Sequence, residues 1–580
     1  MSALQSLLRG WRQGLARRDN RRGIEHWKRG ELAAAQAALR RATRRHPGYA
    51  SALGNLGMVL IESRRYDEGV ALLKRAIEVE PRHAGALNNL GVAMILGNNP
   101  AAAVKYLQAA IAADPQLAEA HANLLGPMME ICAWPALERK LNELLALAER
   151  APPEVWAERV RPFDLMALPV PRELQRAAGR HHASKLLREA GGARAAVAAP
   201  PPPGRSRLRI GYVSSDFRNH ATTHLCVGLF GRHDRSRFEV TAYSFGADDG
   251  SSYRKRIEAE CEHFVDVSAL SLDETLRRIA GDGVHVLVDM KGYCGGARPE
   301  IFARRAAPIQ VSYLGYPNSM HAPFMDYIVA DRVVIPEADA HWYAEAVAWL
   351  PGAYQINDCE QPIDERVPSR EEHGLPERGF VFCCFNNTYK IEAGIFASWM
   401  RILQAVPDSV LWLYRSNVPA KYALWKAAER HGVERRRIVF AAGMPKPQHL
   451  ARLRLADLVL DTHYYNAHTT TTDALWAGVP VLTWPGEMFA SRVAASLLTA
   501  VGMPDLIAAT REDYERRAVE LAREPQALAA LRARLAANRL STPLFDTNAH
   551  VRHLEAAFEA MWAAHARSER PQSFLAGARG

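Results

Sequence analysis

Nowhere in the 580 residues do about 18 uncharged apolar residues run together, so no membrane-spanning helix is expected. The stretch from Met1 to Arg22 holds no sustained apolar segment, which argues against a secretory signal. Cysteine is scarce. Cys132, Cys226, Cys261, Cys294, Cys359, Cys383 and Cys384 form no CxxC pair, and several sit in apolar runs, the pattern of free thiols packed as small core residues in a reducing compartment. A cytoplasmic protein is the expectation. The chain also lacks a GxxxxGK[ST] phosphate loop and any Asp-x-Asp at a strand end that would hold a divalent ion on nucleotide phosphates; Asp331 and Asp461 stand as single acids. No long polar tract interrupts a composition that is 48% hydrophobic and 23% charged, which excludes extensive disorder.

The length suggests three or four folding units. Lys and Arg outnumber Asp and Glu by 73 to 63, and much of the excess of +10 falls early, at Arg9, Arg12, Arg17, Arg18, Arg21, Arg22, Lys28 and Arg29. Such a start can attract an acidic partner, nucleic acid or an anionic membrane surface, or it can be a solvated helical face. No aromatic interleaving accompanies the arginines, so no nucleic-acid partner is assigned.

Three in-phase series organise the first quarter: Pro47, Pro81 and Pro115; Asn55, Asn89 and Asn123; Ala42, Ala76 and Ala110, each with a spacing of 34 residues. Asn55-Leu56-Gly57 recurs as Asn89-Leu90-Gly91, and acidic-Pro steps close the units at Glu80-Pro81 and Asp114-Pro115. This is the period and punctuation of tetratricopeptide helix pairs, in which small residues let helices approach and proline ends each unit. A weaker unit is read from about Arg22 to His46, and beyond Asn123 the pattern decays into irregular helices. In a superhelix of this kind the Asn series forms a ladder that either pairs with the backbone of an extended peptide or bonds within its own repeats.

Ala-rich sequence ends at Ala198-Ala199-Pro200-Pro201-Pro202-Pro203-Gly204, a stiff linker that cannot continue a helix. Afterwards β-rich runs at 208–214, 238–245, 284–290, 309–314 and 325–330 alternate with helical patterns, which predicts parallel βαβ units. The rhythm breaks at 351–378 and restarts at 380–385, 410–414, 438–441, 458–460 and 479–483. Two Rossmann-like lobes follow, with ligands expected beyond the carboxyl ends of the strands and in the cleft between lobes. A helix near 548–566 is placed to pack back across them.

The strand-end loops carry the candidate chemistry. The first strand runs into Ser214-Ser215-Asp216-Phe217-Arg218-Asn219-His220, where a neutral His220 can take a proton from a hydroxyl or simply support the loop, and Asp216 or Asn219 can shape Asx turns. The second lobe opens with Asn386-Asn387-Thr388-Tyr389-Lys390, whose lysine either neutralises a departing diphosphate or lies on the surface. Met444-Pro445-Lys446 to Arg452 starts a helix able to hold a base and ribose. The most specific signal is His468-Thr469-Thr470-Thr471-Thr472-Asp473: four threonines at a helix start offer amides and hydroxyls toward one point at the positive end of the helix dipole, although a threonine there also serves as a cap. Asp473 is placed to accept from ribose hydroxyls. With no acidic metal pair in view, the expected transfer is metal-independent and uses no cofactor.

At these positions the chain resembles the O-linked N-acetylglucosamine transferases, which join tetratricopeptide repeats to a GT-B core. The resemblance is strongest over 208–545 and rests on Gly211-Tyr212-Val213-Ser214-Ser215-Asp216-Phe217, Pro308-Ile309-Gln310, Leu314-Gly315-Tyr316-Pro317, Tyr389-Lys390-Ile391, Leu475-Trp476-Ala477-Gly478 and Ser491-Arg492-Val493-Ala494. It implies His220 as the proposed base, whose role in the family is debated, and Lys390 as the leaving-group lysine. By the same resemblance Asn387, Pro445, Lys446, His449 and Arg452 are nucleotide contacts. His468, Thr469 and Thr470 form the phosphate-binding helix start, Asp473 is the ribose acceptor, and Leu314, Gly315 and Pro317 form a loop near the sugar. The implied reaction is inverting transfer from UDP-N-acetylglucosamine to Ser or Thr hydroxyls of proteins, whose segments would lie along the repeat groove near Asn55, Asn89 and Asn123. Few repeats and a short connector resemble the bacterial branch.

The expected organisation is thus a basic segment (1–21), repeats (22–150), a helical linker with a Pro-rich end (151–205), the first lobe (206–350), a connector (351–378), a nucleotide-binding lobe (379–545) and a C-terminal helix and tail (546–580). Alternatives are a related transferase using GDP-fucose or UDP-glucose, and an inactive nucleotide-binding scaffold. Joint retention of His220, Lys390, His468 and Asp473 argues against the scaffold.

Overall fold

A computed structural model describes residues 3–191 and 207–577, so the Pro-rich linker lies outside the described residues. The chain divides into two compact units, Met1–Arg161 with Ser271–Asp273, and Pro162–Leu270 with Glu274–Gly580.

The first unit is an array of antiparallel helix pairs: α1 (Ala3–Lys28) with α2 (Leu32–Arg45), α3 (Ala50–Glu62) with α4 (Tyr66–Val79), α5 (Ala84–Leu96) with α6 (Pro100–Ala113), and α7 (Ala118–Glu130) followed by α8 (Trp134–Arg150). The periodic alanines Ala42, Ala76 and Ala110 are fully buried, and each periodic proline stands two residues beyond the end of α2, α4 or α6. Glycine does the same work by close approach: a Cβ on Gly57 would lie 2.8 Å from the Gly69 carbonyl oxygen.

Two features differ from the sequence expectation. The basic segment is no separate extension, because α1 runs unbroken into the first helix pair; Ala16, Asp19 and Asn20 are buried, and the Asp19 carboxylate pairs with Arg45. The arginines on the outer face masked that pattern. The Asn series is also partly engaged: Asn55 donates to Asn20 at 3.0 Å and Asn123 to Asn88 at 3.2 Å, so these amides bond to the preceding repeat rather than within their own.

The second unit holds two parallel sheets. The strands are β1 (Leu208–Ser214), β2 (Phe238–Ser244), β3 (His263–Asp266), β4 (Val286–Asp289), β5 (Ile309–Ser312), β6 (Tyr327–Ala330), β7 (Ala346–Trp349), β8 (Phe380–Cys384), β9 (Ser409–Tyr414), β10 (Ile438–Ala441), β11 (Leu458–Leu460), β12 (Val481–Leu482) and β13 (Phe574–Leu575). The first sheet has order β13-β7-β6-β5-β4-β1-β2-β3 and the second β10-β9-β8-β11-β12. Strands such as β4 and β5 are buried at every position, as parallel strands covered on both faces must be, which is why they read as continuous apolar runs. The helix Thr547–Ala566 returns to the first lobe: Val551, Leu554, Phe558 and Met561 join the core of β1, β4 and β5, and β13 extends the same sheet. No described helix is long and apolar enough to cross a membrane.

Candidate functional site

Loops after the strands converge on a cavity of about 520 Å³ between the two lobes of the second unit. The first lobe contributes Asp216, His220, Lys291, Leu314 and Gly315, and the second Asn386, Asn387, Lys390, His468, Thr469 and Thr470. A recess of about 270 Å³ shares Thr469 and Thr470 with it and adds Pro445, Lys446, His449, Arg452 and Asp473. The second-lobe residues Asn387, Lys390, Pro445, Lys446, His449, Arg452, His468, Thr469, Thr470 and Asp473 therefore line these two adjoining spaces. Pro317 is buried and does not line the cavity, whereas Leu314, at a φ of 67°, and Gly315 do. A Cβ on Gly315 would fall 1.9 Å from the Met290 carbonyl oxygen, so only glycine lets this loop lie against the end of β4.

On the first-lobe side His220 caps the helix Ala221–Cys226: its Nδ1 accepts from the Thr222 N–H at 3.2 Å and lies 3.4 Å from Asp216 Oδ2. Burial holds the imidazole below its ordinary pKa, with Lys291 and Arg218 acting in the same direction and Asp216 opposing, so the ring is neutral near pH 7. In the neutral ring an accepting Nδ1 leaves the proton on Nε2. Asp216 forms no Asx turn. Its buried carboxylate accepts from Lys291 Nζ with both oxygens, at 2.8 and 2.7 Å. Asn219 is likewise held from elsewhere, its N–H donating to Asp249 at 2.8 Å and its Oδ1 meeting His224 Nε2 at 2.8 Å. Lys291 was missed from sequence although it follows the end of β4 more directly than Lys390 follows the end of β8.

Lys390 ends a short turn (Thr388–Lys390) and is no surface lysine. Its Nζ donates to the Asn466 carbonyl at 2.8 Å and lies 4.1 Å from the centre of the Tyr465 ring. Burial lowers its pKa to about 8, against the pull of the Asp461 carboxylate and the Cys384 thiol. Asp461 accepts from the Thr462 and Ala467 N–H groups and from Thr483 Oγ1, and so shapes the loop leading to His468. Asp331 is also structural, bonded to Val333, Val334, Tyr354 and Ser496.

The helix Thr469–Ala477 is not the fourfold threonine array expected. Thr471 and Thr472 are fully buried and turn inward: Thr471 Oγ1 donates to the Ala467 carbonyl, while Thr472 Oγ1 donates to Asn357 and accepts from Gln355, both in the connector. Only Thr469 and Thr470 face the cavity, and Thr470 Oγ1 donates to Asn386 at 2.6 Å. Residues 469, 470 and 473 share one side of a helix and 471 and 472 the other, as 100° per residue requires. His468 precedes the helix without a side-chain cap, its Nε2 meeting the Ala490 carbonyl at 3.1 Å, and burial keeps it neutral.

In the recess Asp473 is buried and pairs with Lys446, with His449 Nε2 3.8 Å from its other oxygen. His449 Nδ1 accepts from Arg452 Nε and Nη at 3.3 and 3.0 Å. Arg452 is itself buried, donates to the Ala442 carbonyl at 2.6 Å and lies 4.9 Å from the centre of the Phe385 ring. Its donors are engaged within the protein, so it orients His449. The assembled site offers a buried ammonium, free helix-start amides, an exposed Asn387 amide and a neutral imidazole around one space, an arrangement suited to a phosphorylated ligand.

Comparison with known proteins agrees with this geometry. The model of Glycosyl transferase family 41 matches residues 131–365 and 359–554, and that of a tetratricopeptide repeat matches 20–68 and 55–118. A probable UDP-N-acetylglucosamine–peptide N-acetylglucosaminyltransferase of Arabidopsis thaliana is 39% identical over 464 residues, covering 78% of this chain and 48% of the relative. The Caenorhabditis elegans UDP-N-acetylglucosamine–peptide N-acetylglucosaminyltransferase is 32% identical over 550 residues, covering 74% and 48%. The chain spans about half the length of these curated relatives. A solved O-GlcNAc transferase variant of Thermobaculum terrenum superposes with a TM-score of 0.70 at 27% identity, covering 96% of this chain and 99% of that one.

Proposed function

We propose that this chain, which belongs to glycosyl transferase family 41, transfers N-acetylglucosamine from UDP-N-acetylglucosamine to Ser and Thr hydroxyls of peptide acceptors. The observation that carries the reading is the convergence of the buried Lys390 ammonium and the Thr469–Thr470 helix start on one cavity. In this reading the acceptor oxygen forms the new bond at the anomeric carbon as the bond to the β-phosphate oxygen breaks, inverting that centre. The electron pair leaves with UDP. Lys390 and the helix-start amides meet the charge that grows on the leaving group, where preorganised donors are worth most. Asn387, Pro445, Lys446, His449 and Asp473 hold the nucleoside, with Arg452 fixing His449, His468 shaping the helix start and Leu314 and Gly315 bordering the sugar.

The hydroxyl proton goes to His220 Nε2 in the tautomer whose Nδ1–H points at Asp216 Oδ2, 3.4 Å away. The Thr222 N–H contact favours the opposite tautomer, so proton transfer requires the ring to exchange these partners. Repeat-bound acceptor segments would use what hydrogen-bonding capacity Asn55, Asn89 and Asn123 retain.

The test offers radiolabelled UDP-N-acetylglucosamine, UDP-glucose and GDP-fucose with lysate proteins, for the native protein and Lys390→Ala, and measures UDP binding in parallel. Transfer from UDP-N-acetylglucosamine alone, lost in the variant, is the expected result. Transfer from another donor, or tight UDP binding without transfer, overturns the assignment.

A further inference from the structure

A second cavity, about 390 Å³, lies wholly within the helical unit, between α7, α8 and the segment that follows α8. Its walls are apolar: Leu125 and Val160 are buried, Leu147 is half-buried, and Val155, in the short helix α9 (Pro153–Trp156), is 44% exposed. Three cations, Lys140, Arg150 and Arg159, line it with a single carboxylate, Glu143. Glu143 is already paired with Lys140 at 2.9 Å, and Arg159 is held in position by donating to the Gln116 side chain at 2.7 Å. His121 adds no charge: it is buried, its Nε2 meets the Pro115 carbonyl at 3.0 Å, and burial lowers its pKa. The cavity is therefore a greasy slot with a net positive rim. Leaving a Val side chain exposed over such a slot has no packing advantage within the array itself.

We propose that this slot docks a peptide carrying a bulky apolar side chain flanked by carboxylates, and so selects acidic acceptor segments. The volume suits one or two side chains. Apolar contact supplies affinity while Arg150 and Arg159 reject basic sequences through like-charge repulsion. The inference rests on the reading that acceptors are peptides, yet it is tested by binding alone, without any sugar donor.

The probe is fluorescein-labelled Gly-Asp-Asp-Phe-Leu-Asp-Asp-Gly, compared with a counterpart bearing Lys at each Asp, by anisotropy with the full chain. The acidic peptide is expected to bind at least tenfold tighter, to weaken severalfold between low and high salt, and to lose at least tenfold in affinity in both Arg159→Glu and Leu147→Asp. Circular dichroism melting monitors folding. Because Arg159 and Leu147 are only partly buried, at least one variant should melt within a few degrees of the native chain. Equal binding of the two peptides, unchanged binding in both variants, or binding of free phenylbutyrate as tight as the peptide overturns the proposal. Peptide docking without transfer from any donor would leave this slot standing and sink the transferase reading. Transfer without charge-selective docking would do the reverse.

Discussion

Replacing Lys390 by Met should weaken catalysis while strengthening the fold. The ammonium is held by one carbonyl and a ring face, and burial takes its pKa from 10.5 to about 8. At about 1.4 kcal/mol per pH unit, a drop of that size disfavours the charged form in the fold by roughly 3 kcal/mol. Met fills similar space but leaves the Asn466 carbonyl without its donor, a loss of about 1 kcal/mol. The net expectation is a gain of roughly 2 kcal/mol at pH 7, or a rise of a few degrees in Tm. The sign also fixes a pH dependence. Between pH 8 and 10.5 the unfolded chain keeps a proton that the folded native chain has released, so native stability rises with pH across this window and its gap to the variant closes. Differential scanning fluorimetry at pH 7 and pH 9.5 measures this. The same substitution should slow transfer about 10²–10³-fold, because it removes a donor aimed at developing charge. The native kcat/KM should fall above about pH 8 as Lys390 loses its proton in the free enzyme. A variant that melts no higher at pH 7, with a gap that does not change with pH, refutes the burial argument. A rate within tenfold of native refutes the leaving-group role.

The remaining expectations concern the rest of the site. Nitrogen-15 NMR of His220 should show the Nε2–H tautomer and a pKa below the ordinary histidine value in the free protein; an Nδ1–H signal would mean that the Thr222 contact does not govern the ring. Lys291→Met, which leaves the buried Asp216 carboxylate without its cation, should cost about 3–5 kcal/mol in urea unfolding, with part recovered by adding Asp216→Asn. Thr472→Val should cost about 1–2 kcal/mol by removing one partner from each of the Gln355 and Asn357 amides, which keep their bond to each other at 2.9 Å, with UDP affinity within twofold of native, whereas Thr469→Val should weaken UDP about tenfold in calorimetry with little change in Tm. Transfer in EDTA should remain within twofold, since Lys390 and the helix start supply the positive charge assigned to the leaving group; abolition by the chelator would sink that assignment.

What could be read from the sequence follows from which contacts are local. β1 is recovered at both ends because an apolar run bounded by a basic and a polar segment carries its own limits. β3 is half-exposed and only four residues long, and β13 is a two-residue strand added 225 positions after β7, so neither leaves a periodic trace. The inward turn of Thr471 and Thr472 was within reach, because a helical wheel over 469–473 separates them from Thr469, Thr470 and Asp473.

The Asp216–Lys291 pair was not within reach, since each residue alone is a polar group in a loop. What joins them is strand order. β1 and β4 are parallel neighbours with Val213 opposite Asp289, so Asp216, three residues after Val213, and Lys291, two after Asp289, emerge side by side at the same edge. The same rule brings Lys390 to Asn466: β8 and β11 are neighbours with Cys383 opposite Val459, and their following loops meet. Strand ends nominate candidate residues, and only the order of strands in the sheet decides which of them become partners. The composition of a site in a parallel fold is therefore legible before its wiring.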